Sequence, residues 1–128
     1  MLSVKAYPAE YVDACEARFG RHVDALATLD AADFVVVAPD SVLLLEHLFV
    51  HRMRGNEGKD GNPLNEVRLL AESILTNDGV LEVPASIKLR PDTSVTGLAT
   101  GDRIVLDEPQ LRGLGQAYFQ ELRIRFGG

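Results

Sequence analysis

The apolar residues of this chain change period at Gly79, and no other feature of the sequence constrains the fold as tightly. Upstream they recur at steps of three and four; from there to Leu106 they alternate with polar residues. The first spacing lines one stripe of an α-helix and the second lines one face of a strand. A chain carrying both in separate blocks is expected to be α+β, with about four helices packed against a small antiparallel sheet of about three short strands.

Val12, Cys15, Phe19, Val23 and Leu26 predict a first helix from Ala9 to about Leu29. Pro8 stands just ahead of it, where proline is tolerated. Gly20 weakens that helix by roughly 1 kcal/mol against alanine, which the stripe outweighs. Phe34 to Val37 is a β-branched run ended by Pro39, and it predicts a brief extended segment. Asp40 or Ser41 would then cap a second helix reaching about Arg54. Val42, Leu45, Phe49 and Met53 share one of its faces, while Leu43, Leu44, Leu48 and Val50 cover most of the rest. A helix apolar nearly all round is expected to lie deepest in the fold or to be covered by a partner chain. Asn62-Pro63 is a good helix start, and Leu64, Val67, Leu70, Ala71 and Ile74 carry the third helix to Thr76. Beyond Gly79, strands are expected over 80–83, 87–90 and 103–106, separated by Pro84, Pro91 and the Gly101-Asp102 turn. Asp107 and Gln110 form a capping-box pattern for a last helix striped by Leu111, Leu114, Tyr118, Leu122 and Phe126.

The length of 128 residues fits one domain, 1–128, with no linker or repeat dividing it. The lone cysteine, Cys15, cannot form an internal disulfide, and the start lacks the pattern of a secretory signal. Both point to the cytoplasm. The net charge of −6 is uneven: residues 1–50 hold three basic and eight acidic side chains, and residues 51–68 hold four and three. Such an excess repels phosphate backbones. His51, Arg52, Arg54, Lys59 and Arg68 make only a weak basic patch, so nucleic acid is not an expected partner, and no segment reads as membrane-spanning.

The candidate chemistry lies around HRMRGNEGKDGNPLNEVR, residues 51–68. Its glycines lack the spacing of a phosphate loop, and Asp60 stands where a hydroxyl residue should follow Lys59. A solvated connector is the simpler reading. The alternative is a loop, Gly55 to Asn62, closing over a small anion held by Lys59, Asn62 and Arg68. His47 and His51, four apart, point two imidazoles to one side of a helix; with His22 they would form a three-histidine site for one divalent metal ion. Glu46 or Glu72 could add a ligand or a base. HLFVH has Leu48 where a metalloprotease keeps glutamate, and no catalytic residue can be named. Cys15, on the apolar stripe, reads as a small buried hydrophobe.

The segments EHLFVHRMRG, EGKDGNPLNEVR and GLATGDRIVLDEPQL resemble a family of small bacterial proteins with no assigned function. The resemblance runs from about Val42 to Phe126 and implies a self-standing small protein; it implies no reaction. The expected function is therefore a cytoplasmic protein-interaction or regulatory module, bound to itself as a homodimer or to another protein. The alternative is a histidine-based metal-dependent or small-anion-binding enzyme.

Overall fold

The computed structural model describes residues 3–127 and contains five helices: α1 (Ala9–Leu26), α2 (Ala31–Leu48), the single turn α3 (Arg54–Glu57), α4 (Pro63–Thr76) and α5 (Glu108–Phe126). The α+β expectation is corrected: the fold is all-α, and the described residues hold only two isolated bridges, Val4 with Arg52 and Val80 with Arg103. The four long helices form a bundle in which α2 packs between α1 and α4, α5 closes the other side, and α2 meets α5 across the centre.

The largest departure from the sequence reading is at α2. The segment expected to be extended, Phe34 to Val37, lies inside this helix, which starts at the Asp30 cap and carries Pro39 in its interior. The Asp30 carboxylate accepts a hydrogen bond from the backbone N–H of Asp33 at 2.8 Å. An interior proline removes the N–H that would bond the carbonyl four residues back and costs roughly 3 kcal/mol. The burial pattern explains why the helix tolerates it. Phe34, Ala38, Ser41, Val42 and Leu45 are all buried, and their spacing keeps helical period straight through Pro39. Four β-branched or aromatic residues in a row lower helix propensity by only a few tenths of a kcal/mol each. Breaking the stripe would strand Phe34 and Ala38 outside the core. Burial wins.

The core is a single cluster that joins Val12, Phe19 and Val23 of α1 to Val42 and Leu45 of α2, Leu64 and Leu70 of α4, and Leu114, Tyr118 and Leu122 of α5. Phe49, just past α2, packs edge-on against Tyr7, Tyr118 and Phe119 at ring-centre distances of 4.9, 5.9 and 6.0 Å. Where α1 crosses α5, Gly115 lets the Phe19 ring approach so closely that a Cβ there would lie 2.4 Å from a ring carbon.

Residues 77–107 wrap the bundle without forming a sheet. Alternate residues do turn inward, for Leu81, Leu89, Ile104 and Leu106 are buried. A ladder is missing because the backbone groups find other partners. Ile87 N–H bonds Pro84 O and Lys88 N–H bonds Lys59 O, and the pairing of 79–81 with 101–104 stops after three bonds, Leu81 N–H to Asp102 O, Gly101 N–H to Leu81 O and Ile104 N–H to Gly79 O. The Glu66 carboxylate pins the far side, accepting from the backbone N–H groups of Val95 and Thr96 and from the Thr96 hydroxyl at 2.8, 2.9 and 2.6 Å. Period two in this stretch is the spacing of anchors on an irregular strap.

Candidate functional site

The glycine-bearing stretch is built around a sealed cluster of charges. Arg52 follows α2, Glu57 ends α3, Arg68 lies on α4 and Glu46 on α2, and the connector folds so that all four meet. Arg52 Nε donates to Glu57 at 2.8 Å and its Nη2 donates to Glu46 at 2.9 Å. Its remaining donors reach the carbonyls of Phe49 and Leu64 and the hydroxyl of Tyr118. Arg68 donates to Glu57 through Nη2 and Nε, with Glu46 3.6 Å away from its Nη1. The Arg52 side chain is fully buried, and Glu57 is 2% exposed. Two arginines and two glutamates leave the cluster neutral, and all five donors of Arg52 are used. Buried charge is tolerated on those terms.

The two glutamates differ. Burial pushes the Glu57 carboxyl upward, but hydrogen bonds from Arg68 and the charges of both arginines outweigh it and hold the group below the ordinary glutamate value. Burial dominates at Glu46, which is raised despite its pairing with Arg52. Tyr118 is raised strongly, chiefly by burial, and remains a phenol that donates to Leu45 O.

The rest of the connector serves this cluster. Asn62 caps α4 by accepting from Leu64 N–H at 2.8 Å and donates to Glu57 O and Asp60. Asn65 donates to the Glu57 carboxylate at 2.7 Å and accepts from Gly61 N–H. Arg125 reaches over from α5 to the Glu57 carbonyl and the Asp60 carboxylate. Gly61, at φ +84°, lies against the backbone of Lys88, and a Cβ there would be 2.3 Å from its carbonyl oxygen. Of the residues expected to hold an anion, Asn62 and Arg68 are therefore occupied inside the protein, while Lys59 is exposed. The structure does not bring these three side chains to one open site. Sequence reasoning missed Arg52, Glu57 and Asn65 as a set; the available signal was two arginines and two glutamates flanking asparagine-rich turns.

The three-histidine metal site is also corrected. Among the described residues no group of three or more His, Cys, Asp or Glu side chains is placed to hold a metal ion. His22 Nε2 lies 2.7 Å from Ser41 Oγ, inside the α1–α2 contact, and its ring stacks on Phe19. His47 and His51 are exposed on the other side of α2. The His22–Ser41 pair has the atoms of a nucleophile and a base, but Ser41 is 0% exposed, so no substrate carbonyl can reach its hydroxyl. Cys15 is buried, as expected.

Open surface is found elsewhere. A groove of about 320 Å³ lies where α1 turns into α2, between Leu29, Phe34, Val35 and the start of α5. Its two carboxylates are engaged: Asp107 in the capping box and Glu108 with Arg112. Two further grooves, each about 300 Å³, flank the outer ridge of α2. One, on the α4 side, is lined by Leu43, Glu46, His47, Val50, Ala71 and Leu75. The other, on the α1 side, is lined by Val4, Tyr7, Tyr11, His47, Leu48, Val50 and His51. They share His47 and Val50, so they form one continuous furrowed face. On it Leu75 is 70% exposed, and Val36, two turns before Leu43 on the same side of α2, is 75% exposed. No helix among the described residues is long and apolar enough to cross a membrane. Comparison with protein-family models, with curated proteins and with solved structures gave no match to this chain.

Proposed function

We propose that this chain is a small protein-interaction module that acts through self-association, using the outer face of α2 as its contact surface. The observation that carries this reading is the continuous face described above, in which a ridge bearing Leu43, His47 and Val50 stands between two grooves, with Val36 in line with it two turns earlier on α2. The other large exposed hydrophobics, such as Val105 and Ile124, lie outside that face and need no partner. Leu75 and Tyr11 flank the ridge on opposite sides, which gives it apolar shoulders. Ridges seated in grooves are the ordinary geometry of helix packing, and a repeated copy supplies both parts. Occupation of the inner charges within the fold argues against a buried reaction centre and leaves surface recognition as the chemistry on offer.

Sedimentation equilibrium at micromolar concentration tests the proposal. The wild type is expected to form dimers. Val36→Glu and Leu75→Glu, both at exposed positions, are expected to give monomers with unchanged helical circular dichroism. A wild type that stays monomeric at every concentration reached overturns the reading.

A further inference from the structure

The outer ridge of α2 is nearly palindromic. It runs Val36, Asp40, Leu43, His47, Val50, so that an acid and a histidine stand between apolar residues at the ends and the centre. At 3.6 residues per turn the four helical members fall within an arc of about 60°, opposite the buried stripe. Asp40 and His47 are both exposed, and neither side chain is hydrogen-bonded among the described residues. Glu46, beside the ridge, is already held by Arg52 and Arg68 and does not compete for His47.

We infer that the second copy docks antiparallel, α2 against α2, with Leu43 on the two-fold axis and Asp40 of each copy opposite His47 of the other. The inference rests on the self-association proposed above and specifies its partner surface. A two-fold axis perpendicular to the helix at Leu43 carries Asp40 onto the level of His47 and Val36 onto the level of Val50. Two carboxylate–imidazole pairs then flank a central leucine contact, and Val36 of one copy lies over the end of the α2–α4 groove of the other. A parallel arrangement would instead stack Asp40 on Asp40 and His47 on His47. Only the antiparallel register gives each Asp40 carboxylate an imidazole N–H to accept from and keeps the two like-charged carboxylates apart.

Two measurements test it. Asp40→Lys alone faces a lysine toward a histidine at two symmetric places and is expected to raise the dimer Kd about tenfold. His47→Asp alone is expected to do the same, and the Asp40→Lys/His47→Asp double variant is expected to restore association. Leu43→Cys is expected to form an intermolecular disulfide on mild oxidation. Facing Cα atoms of helices packed at ordinary distance lie about 4–6 Å apart, within the range a disulfide spans. Cys15 is buried and supplies no competing thiol. A dimer indifferent to both charge changes and uncrosslinked at Leu43→Cys overturns this register while leaving self-association standing. Absence of any wild-type dimer overturns both.

Discussion

Replacing Glu57 by glutamine tests the charge cluster directly, because the side chain keeps its shape and loses its charge. In the wild type its two carboxylate oxygens accept from Arg52 Nε at 2.8 Å, from Asn65 Nδ2 at 2.7 Å and from Arg68. The amide offers one acceptor oxygen and turns an NH₂ toward donors. Arg52, whose side chain is fully buried, then keeps only Glu46 as a charged partner. Breaking a buried ion pair from one side costs about 3–5 kcal/mol, since an uncompensated charge stays behind. A domain of this kind holds of order 5–15 kcal/mol in all, so the variant should sit near the edge of folding. That loss corresponds to a fall in Tm of roughly 10–20 °C. Urea unfolding followed by circular dichroism, on Glu57→Gln, Arg68→Met and the double variant, gives the pairwise coupling. The double variant should lose much less than the sum of the singles. A Glu57→Gln variant within about 1 kcal/mol of wild type would refute the argument, because surface pairs behave that way and buried ones do not.

Other outcomes follow from the same geometry. Glu46, raised by burial, takes up its proton in the folded state before the unfolded chain does, so acidification from neutrality stabilises through that group; Glu57, held low, loses its contribution as pH falls below the unfolded glutamate value, about 4.3, through its own. Urea midpoints should therefore show wild type gaining on Glu46→Gln as pH falls toward that value, and a pH-independent difference would count against it. Glu66→Ala removes the acceptor of two backbone N–H groups and a hydroxyl and should cost about 1–3 kcal/mol, with faster amide exchange at Val95 and Thr96. Unchanged exchange there would mean the strap is held by something else. Gly61→Ala must strain a left-handed backbone and push the Lys88 carbonyl aside, so it should destabilise by about 1–3 kcal/mol or more, whereas Gly55→Ala, with open space around it, should not.

The parts of this fold legible in the sequence are those governed by one local cause. The Asn62-Pro63 start of α4 and the Asp107–Gln110 capping box of α5 depend on a few adjacent atoms, and both are present. The stripe of α1 was equally plain, though the helix stops at Leu26. Phe34 to Pro39 misled because local preference and tertiary burial point opposite ways there, and only the packed core reveals which is larger. The alternation after Gly79 matches burial at Leu81, Leu89, Ile104 and Leu106, but the three strands expected from it do not form among the described residues. Alternation, however, reports which side chains are buried and says nothing about where the backbone bonds go. In this chain they go to Lys59, Glu66 and short turns. At the candidate site the histidines drew notice by their spacing, but His22 faces α2 from within and the other two face outward. Arg125, on the last helix, clasps the connector through the Glu57 carbonyl and the Asp60 carboxylate. Nothing in its neighbours along the chain announces that contact.

The charge cluster also bears on the order in which the chain closes up. Its ion pairs join residues five, six, eleven and 22 positions apart, whereas the links between α1 and α5 through Arg123 span 107 and 110. Closing short segments costs less chain entropy than closing long ones, and local contacts form early. Residues 46–68 can thus dehydrate and neutralise their charges as one small unit, with α2 and α4 brought side by side. The long-range partners described, Tyr118 at 66 positions from Arg52 and Arg125 at 68 from Glu57, both lie on α5, so α5 arrives on a surface whose charges are already balanced. Pairing of the two terminal helices would come last, and it is there, where the clasping salt bridges are exposed, that fraying of the bundle should begin.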